Sequence, residues 1–153
     1  MQALELKVAP LLLLAVFAAG MFGLSQVVPA FSAPLPGGRV AALLLALVGI
    51  GLVFVGGVAF RAHKTTVNPR TPGESSSVVS SGVYRVSRNP MYLGFLLALA
   101  GWAVYLSNAV AVLLLPAFVV YMNQFQIKPE ERALLTKFGS AFAAYMASVR
   151  RWL

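Results

Sequence analysis

The chain has no cysteine, a single histidine and only four acidic residues among its 153. Without cysteine there are no disulfides, no thiolate metal centre and no cysteine nucleophile, and the redox compartment is left undefined. One histidine and four carboxylates supply too few ligands for a dedicated metal site, so no metal is expected. Charge is scarce too, at 10% of residues against about 25% in soluble globular domains. In its place, 59% of the chain is hydrophobic, and the mean hydropathy is +0.83. That balance excludes an ordinary soluble domain. It indicates an integral, multi-pass membrane protein, in the inner (cytoplasmic) membrane if the source is bacterial.

Four apolar stretches approach spanning length. Residues 8–28 and 40–60 are each free of charge, and 21 residues of helix extend roughly 31 Å, about one hydrocarbon core. Gly49, Gly51, Gly56 and Gly57 in the second stretch suit close helix approach in lipid. Residues 91–106 form a shorter third stretch, Ser107-Asn108 a tight turn, and 109–127 a fourth stretch that Pro116 should kink. Ala30-Phe31-Ser32 loosely fits a small-x-small cleavage motif. The apolar run before it exceeds the roughly 7 to 15 residues of a secretory signal, so a span is the preferred reading.

The net charge of +8 does not point to nucleic acid, because no basic face with interleaved aromatics appears and the Lys and Arg residues flank apolar runs. Anionic lipid is the natural counterpart. Lys7, Arg61, Lys64, Arg70, Arg85, Arg88, Lys128, Arg132, Lys137, Arg150 and Arg151 fall on one side of the predicted spans, and Arg39 alone on the other. The positive-inside rule then makes both termini and the 61–90 loop cytoplasmic. Glu5, Glu74, Glu130 and Glu131 share that face, so polar chemistry is expected there. The expected fold is all-α: one membrane domain over 1–153, with four transmembrane helices and an amphipathic cytosolic helix.

Two polar segments stand at that face. Residues 64–83 are rich in Ser, Thr, Pro and Gly and read as loop. Arg85-Val86-Ser87-Arg88-Asn89-Pro90 then meets the third stretch. Pro90 suits a first helical turn, which would set Arg88 and Asn89 at a helix N-terminus where amide donors and the dipole attract anions. The tail, 129–150, predicts one helix opened by Pro129, with Glu130 and Glu131 in its first turn. Leu134, Phe138, Phe142, Tyr145 and Val149 lie on one apolar face. Gly139 interrupts that helix, as a close approach by another group would require.

Each feature has a plainer reading. Arg85 and Arg88 suit snorkelling anchors, and Glu130-Glu131 complements a helix dipole. Tyr92, Tyr121, Tyr145, Trp102 and Trp152 suit packing or an interfacial belt. His63 reads as an interfacial side chain, and Asn123 and Gln124 as bonds between helices.

Their ordered combination is more specific. TTVNP, then SGVYRVSRNPMYLG, then KPEERALLTKFGSAFAAYMASVRRWL after a helical hairpin resembles the isoprenylcysteine carboxyl methyltransferase and phospholipid methyltransferase superfamily. The family pattern couples Arg-His/Asn-Pro-x-Tyr-x-Gly to a later Glu-Glu, Phe-Gly, Tyr and a terminal Val-x-Arg. The resemblance covers about residues 60–153, and Asn89 stands where many relatives carry His.

The resemblance implies an integral membrane methyltransferase that uses S-adenosylmethionine without a soluble Rossmann domain. Its site would lie on the cytosolic face. Arg88, Asn89, Pro90, Tyr92 and Gly94 would form one wall and Glu130 and Glu131 another, with Tyr145 completing the cofactor pocket. Arg88, Asn89 and Glu131 carry the catalytic expectation, and Arg150 and Tyr84 would meet the substrate. The acceptor would be a lipid or lipidated molecule from the bilayer. A carboxylate of isoprenylcysteine type, O-methylated, is the first expectation, and a phosphatidylethanolamine-type amine the alternative. A nicotinamide-dependent membrane reductase and a non-enzymatic membrane scaffold are the readings from other classes.

Overall fold

A computed structural model describes residues 5–63 and 75–153. Among them the chain is helical, with one isolated bridge between Ser32 and Asn108. The first helix, α1, is Pro10–Val27. Pro10 opens it, where a missing N–H costs nothing, and Val28 leaves helical geometry ahead of Pro29. Helix α2 is Gly38–Ala62, followed by a 3-10 turn at Gly82–Arg85 and α3 at Pro90–Leu106. Beyond the turn, α4 (Ala109–Val112), α5 (Leu114–Met122), a π turn at Asn123–Ile127 and α6 (Lys128–Phe138) follow one another in a rod. Helix α7 is Ser140–Ser148. The segment 64–74, with the TTVNP stretch, Lys64, Arg70 and Glu74, lies outside the described residues.

Among the described residues three helices are long and apolar enough to cross a membrane: Pro10–Val27, Gly38–Ala62 and Ala109–Phe138. Pro90–Leu106 is a shorter apolar helix. Leu11, Leu12, Val16 and Phe22 of α1, and Leu43, Leu44, Leu47 and Phe54 of α2, point outward. Apolar surface on that scale suits lipid and not water.

The glycines set how closely α3 sits against α2. A Cβ at Gly49 would fall 2.5 Å from the Gly94 carbonyl oxygen, and one at Gly101 would fall 2.7 Å from that of Ala42. The two backbones touch in antiparallel register, as small residues permit in lipid. On its other flank, α3 donates Trp102 Nε1–H to the Ala18 carbonyl at 3.0 Å. Leu13 and Met21 of α1 join Leu99, Phe118 and Met122 in the buried core.

The end remote from the basic cluster is tied by Asn108. Its Oδ1 accepts from the N–H groups of Val110 and Ala111, both at 3.0 Å, and its Nδ2 donates to Val28 O at 3.0 Å and Ser32 Oγ at 2.9 Å. One buried side chain therefore caps α4 and holds the α1–α2 connection. Ser107 makes the turn with a left-handed φ of 51°.

Each proline of the rod leaves a visible trace. Pro116 has no N–H for the Val112 carbonyl, and the helix breaks at Leu113, as the sequence expects. Pro129 likewise strands the Phe125 carbonyl, which instead accepts from Leu6 N–H at 3.0 Å. Just before Pro129 the rod widens into the π turn.

The tail departs from the expected single helix over 129–150. Helix α6 continues directly from the π turn, Ile127 being helical, so Glu130 and Glu131 do not cap a free N-terminus. The chain then breaks at Gly139, whose φ of 52° and ψ of −125° are open to glycine alone. A Cβ there would meet nothing within 4 Å. The conformation, not a close approach, accounts for the glycine.

Candidate functional site

Around one end of the bundle lies a cavity of about 490 Å³, within the range of small-molecule sites. Arg88, Asn89, Tyr92, Glu130, Glu131, Tyr145 and Tyr84 all line it. They come from the 3-10 turn, the mouth of α3, α6 and α7, and are brought together from positions 61 residues apart in sequence in the case of Tyr84 and Tyr145.

The charged side of the cavity is a compact network. Arg88 donates Nη2–H to Glu131 Oε1 at 2.9 Å and Nη1–H to the Met146 carbonyl at 2.7 Å. Arg151 grips the same carboxylate from the other side, Nε–H to Oε1 at 3.1 Å and Nη2–H to Oε2 at 2.6 Å. Glu131 and Arg88 each expose 11% of their side chain, so this is a largely desolvated bridge with two cations on one anion. Arg88 Nε–H is buried without a partner among the described residues. A buried donor left unsatisfied costs about 1–3 kcal/mol, which a ligand oxygen would recover.

Glu130 faces a different neighbour, since consecutive helical residues point about 100° apart. It accepts the Tyr92 hydroxyl at 2.5 Å, its one hydrogen bond among the described residues. Tyr145 donates its hydroxyl to the Tyr84 carbonyl at 2.7 Å and so links α7 to the 3-10 turn. Burial pushes the Tyr145 phenol up to about 12, partly offset by the Arg88 cation. Burial raises Tyr84 further above its ordinary value, with Tyr145 and then Glu130 adding to it. Both phenols are therefore neutral donors near neutrality.

Asn89 sits where an N-cap would, but its side chain makes no capping bond to α3. Its Nδ2 donates to the Arg151 carbonyl at 3.0 Å, and its N–H to Ser87 Oγ at 3.1 Å. Arg88 N–H donates to the Arg150 carbonyl at 3.0 Å. The mouth of α3 is thus committed to the C-terminal strap.

Three expected residues stand outside the lining. Pro90 is buried in the first turn of α3. Gly94 meets the Gly49 backbone of α2, and the Arg150 side chain is exposed, its backbone alone reaching Arg88. Sequence reasoning placed weight on Arg150 and passed over Arg151, although the Val-x-Arg pattern, read from Val149, falls on Arg151. Trp152 Nε1–H donates to Asn123 Oδ1 at 3.1 Å. Gln124 accepts from Lys128, one turn on, and not from another span. Ala9 just ahead of α1, Pro10 and Leu11 of α1, Phe60 of α2, and Ser75 and Ser77 of the inner loop complete much of the wall. No group of three or more metal-ligating side chains occurs among the described residues.

An uncharacterized protein of Haemophilus influenzae is 46% identical over 63 residues, which are 41% of this chain and the whole of that protein. No solved structure matches. The profile of the phospholipid methyltransferase family matches residues 38–141, from the start of α2 past the paired glutamates and Gly139. A match over that much of the chain, with Arg88, Asn89, Tyr92, Glu130 and Glu131 all inside it and converging on one cavity, makes the protein a member of the phospholipid methyltransferase family.

Proposed function

We propose that this protein is an integral membrane methyltransferase that binds S-adenosylmethionine in the cavity at its basic end and methylates a lipophilic acceptor. The observation that carries the reading is the meeting of Arg88, Asn89, Tyr92, Glu130, Glu131 and Tyr145 around one cavity of about 490 Å³. The donor set suits the cofactor. Glu130, held by a single phenol, offers a carboxylate to ribose hydroxyls or the ammonium, and the unpartnered Arg88 Nε–H offers a donor to the carboxylate. When bound, S-adenosylmethionine supplies an electrophilic methyl on a sulfonium.

The chain's own part is alignment, since in-line displacement needs the reacting atoms held at near-attack distance. Arg88 and Arg151, locked through Glu131, fix the mouth of α3 against the C-terminal strap. Apolar lining from Pro10, Leu11, Met91, Phe95 and Phe142 excludes water. In this reading the shorter α3 also spans, tilted little because its 17 residues reach only about 25 Å. The basic end is cytoplasmic, as nine described Lys and Arg residues lie there and Arg39 lies at the other end.

A carboxylate acceptor of isoprenylcysteine type would need no base. A phospholipid amine is the second reading, favoured by the family whose profile matches. It must arrive deprotonated, and Glu130 is placed to take the proton. Purified protein in detergent should bind S-adenosylmethionine, and labelled cofactor incubated with lipid extract should label a lipid. A label released by mild alkali marks a methyl ester, and an alkali-stable one marks an N-methyl amine. Wild-type protein that binds no S-adenosylmethionine would falsify the reading.

A further inference from the structure

The first described residues are keyed to the helical rod beside the paired glutamates. Leu6 N–H donates to the Phe125 carbonyl at 3.0 Å, Gln126 Nε2 to the Val8 carbonyl at 2.7 Å, and Arg132 Nη2 to Glu5 Oε2 at 2.5 Å. Each bond answers a need of the rod. Pro129 leaves Phe125 O without its helical donor, and Leu6, at a left-handed φ of 57°, turns its amide onto it. Gln126 is fully buried, and with its Oε1 unpartnered its bond to Val8 is the one hydrogen bond its side chain makes among the described residues.

The next three residues, Ala9, Pro10 and Leu11, are a wall of the cavity. The three bonds therefore fix that wall relative to Glu130 and Glu131, which lie on the rod between Phe125 and Gln126 on one side and Arg132 on the other. Leu11 lines the cavity and is also 66% exposed, so the cavity reaches the outer surface of the bundle at the first turn of α1. Leu11 is joined there by apolar lining from Pro10, Met91, Phe95 and Ile127. This wall precedes Gly38, where the match to the family begins. The charged residues of the lining, Arg88, Glu130 and Glu131, lie inside the matching stretch.

We propose that the keyed segment 5–11 is the acceptor-specificity wall of the site, and that Leu11 contacts the hydrocarbon chain, acyl or prenyl, of the lipid to be methylated. The assignment rests on the methyltransferase reading above. Arg88, Glu130 and Glu131 hold the cofactor end, and the N-terminal segment decides which hydrocarbon fits beside it.

The test uses the full chain in lipid nanodiscs with two photoreactive probes. One is a phosphatidylethanolamine with a diazirine on its acyl chain, and the other an S-prenyl cysteine with a diazirine on its prenyl chain. Wild type, Leu11→Trp, Leu12→Trp and Gln126→Leu are compared for labelling that excess unlabelled lipid competes away, mapped to residues 5–14, and for S-adenosylmethionine affinity. Leu12 points to lipid outside the lining and controls for bulk. At least one probe should label the segment saturably. Leu11→Trp should cut that labelling at least fivefold and keep cofactor affinity within twofold. Leu12→Trp should change neither, and Gln126→Leu, which releases the key, should reduce labelling in the same direction. Labelling that no competitor removes, or that Leu11→Trp leaves unchanged, overturns the proposal. Loss of cofactor affinity in Leu11→Trp overturns it as well, by giving the wall to the nucleotide. Saturable lipid labelling by a wild type that takes no S-adenosylmethionine would instead overturn the functional reading and leave the lipid wall standing.

Discussion

Arg151 holds both carboxylate oxygens of Glu131, at 3.1 and 2.6 Å, from a position 20 residues further along the chain. Arg150, its neighbour, points its side chain to the surface. The two arginines therefore differ in what they support, although nothing in their residue type separates them. Arg151→Ala should lower stability by about 1.5–3 kcal/mol, the range for hydrogen bonds to a charged group. Arg150→Ala should change it by less than about 0.5 kcal/mol. Denaturant unfolding in detergent checks the contrast, and equal effects would contradict the assignment.

The same logic separates the glycines of the spans. Gly94→Ala would press a methyl to 2.5 Å from the Gly49 carbonyl, whereas nothing lies within 4 Å of the corresponding position at Gly51. Gly94→Ala should cost about 2 kcal/mol or more. Gly51→Ala should be neutral or slightly stabilising, since alanine is the better helix former by about 1 kcal/mol. Thermal unfolding of the two variants decides it.

Glu130 and Tyr92 form an acid–phenol pair facing the cavity, joined at 2.5 Å. Glu130→Gln keeps the shape and replaces the carboxyl by an amide. If Glu130 meets the cofactor, S-adenosylmethionine affinity should fall about 10- to 100-fold, the worth of one charge-assisted hydrogen bond. The far-ultraviolet spectrum and melting temperature should stay near wild type. Binding calorimetry in detergent measures the change, and unaltered affinity would remove Glu130 from the pocket.

Alkaline pH gives a further check, with a definite sign. Tyr145 titrates at about 12 in the folded protein against 10.0 ordinarily. The folded state holds its proton longer than the unfolded chain, so this stabilisation is complete below pH 10 and is lost as pH rises toward 12. Tyr145→Phe should flatten the fall in stability over that window. A slope identical to wild type would show that the phenol is not shielded.

Pro129 offers a test of the rod itself. Pro129→Ala restores an N–H that competes with Leu6 for the Phe125 carbonyl. The π turn should then relax toward α geometry and rotate Glu130 and Glu131 away from their partners. Weaker S-adenosylmethionine binding without loss of helix content is the expected result, and amide exchange at Leu6 should quicken.

Three of the four expected spans, the basic end and most of the residues that line the cavity were legible in the linear chain because they follow from composition and local chemistry. A charge-free run of 21 residues has one economical place in water, which is out of it, and Pro116 and Ser107-Asn108 act on their own neighbours. The resemblance then named Arg88, Asn89, Tyr92, Glu130 and Glu131, all of which reach the cavity. What tertiary structure alone decided is which partner each group takes. Gly94 went to Gly49 and not to the cavity. Arg151 displaced Arg150 because the strap after α7 is extended at Val149, so successive side chains there point to opposite sides. Ala9, Pro10 and Leu11 line the cavity, next to a segment whose Leu6 N–H takes the carbonyl that a proline far along the chain stranded. Sequence fixes which groups must be satisfied; only packing in three dimensions selects which distant group satisfies them.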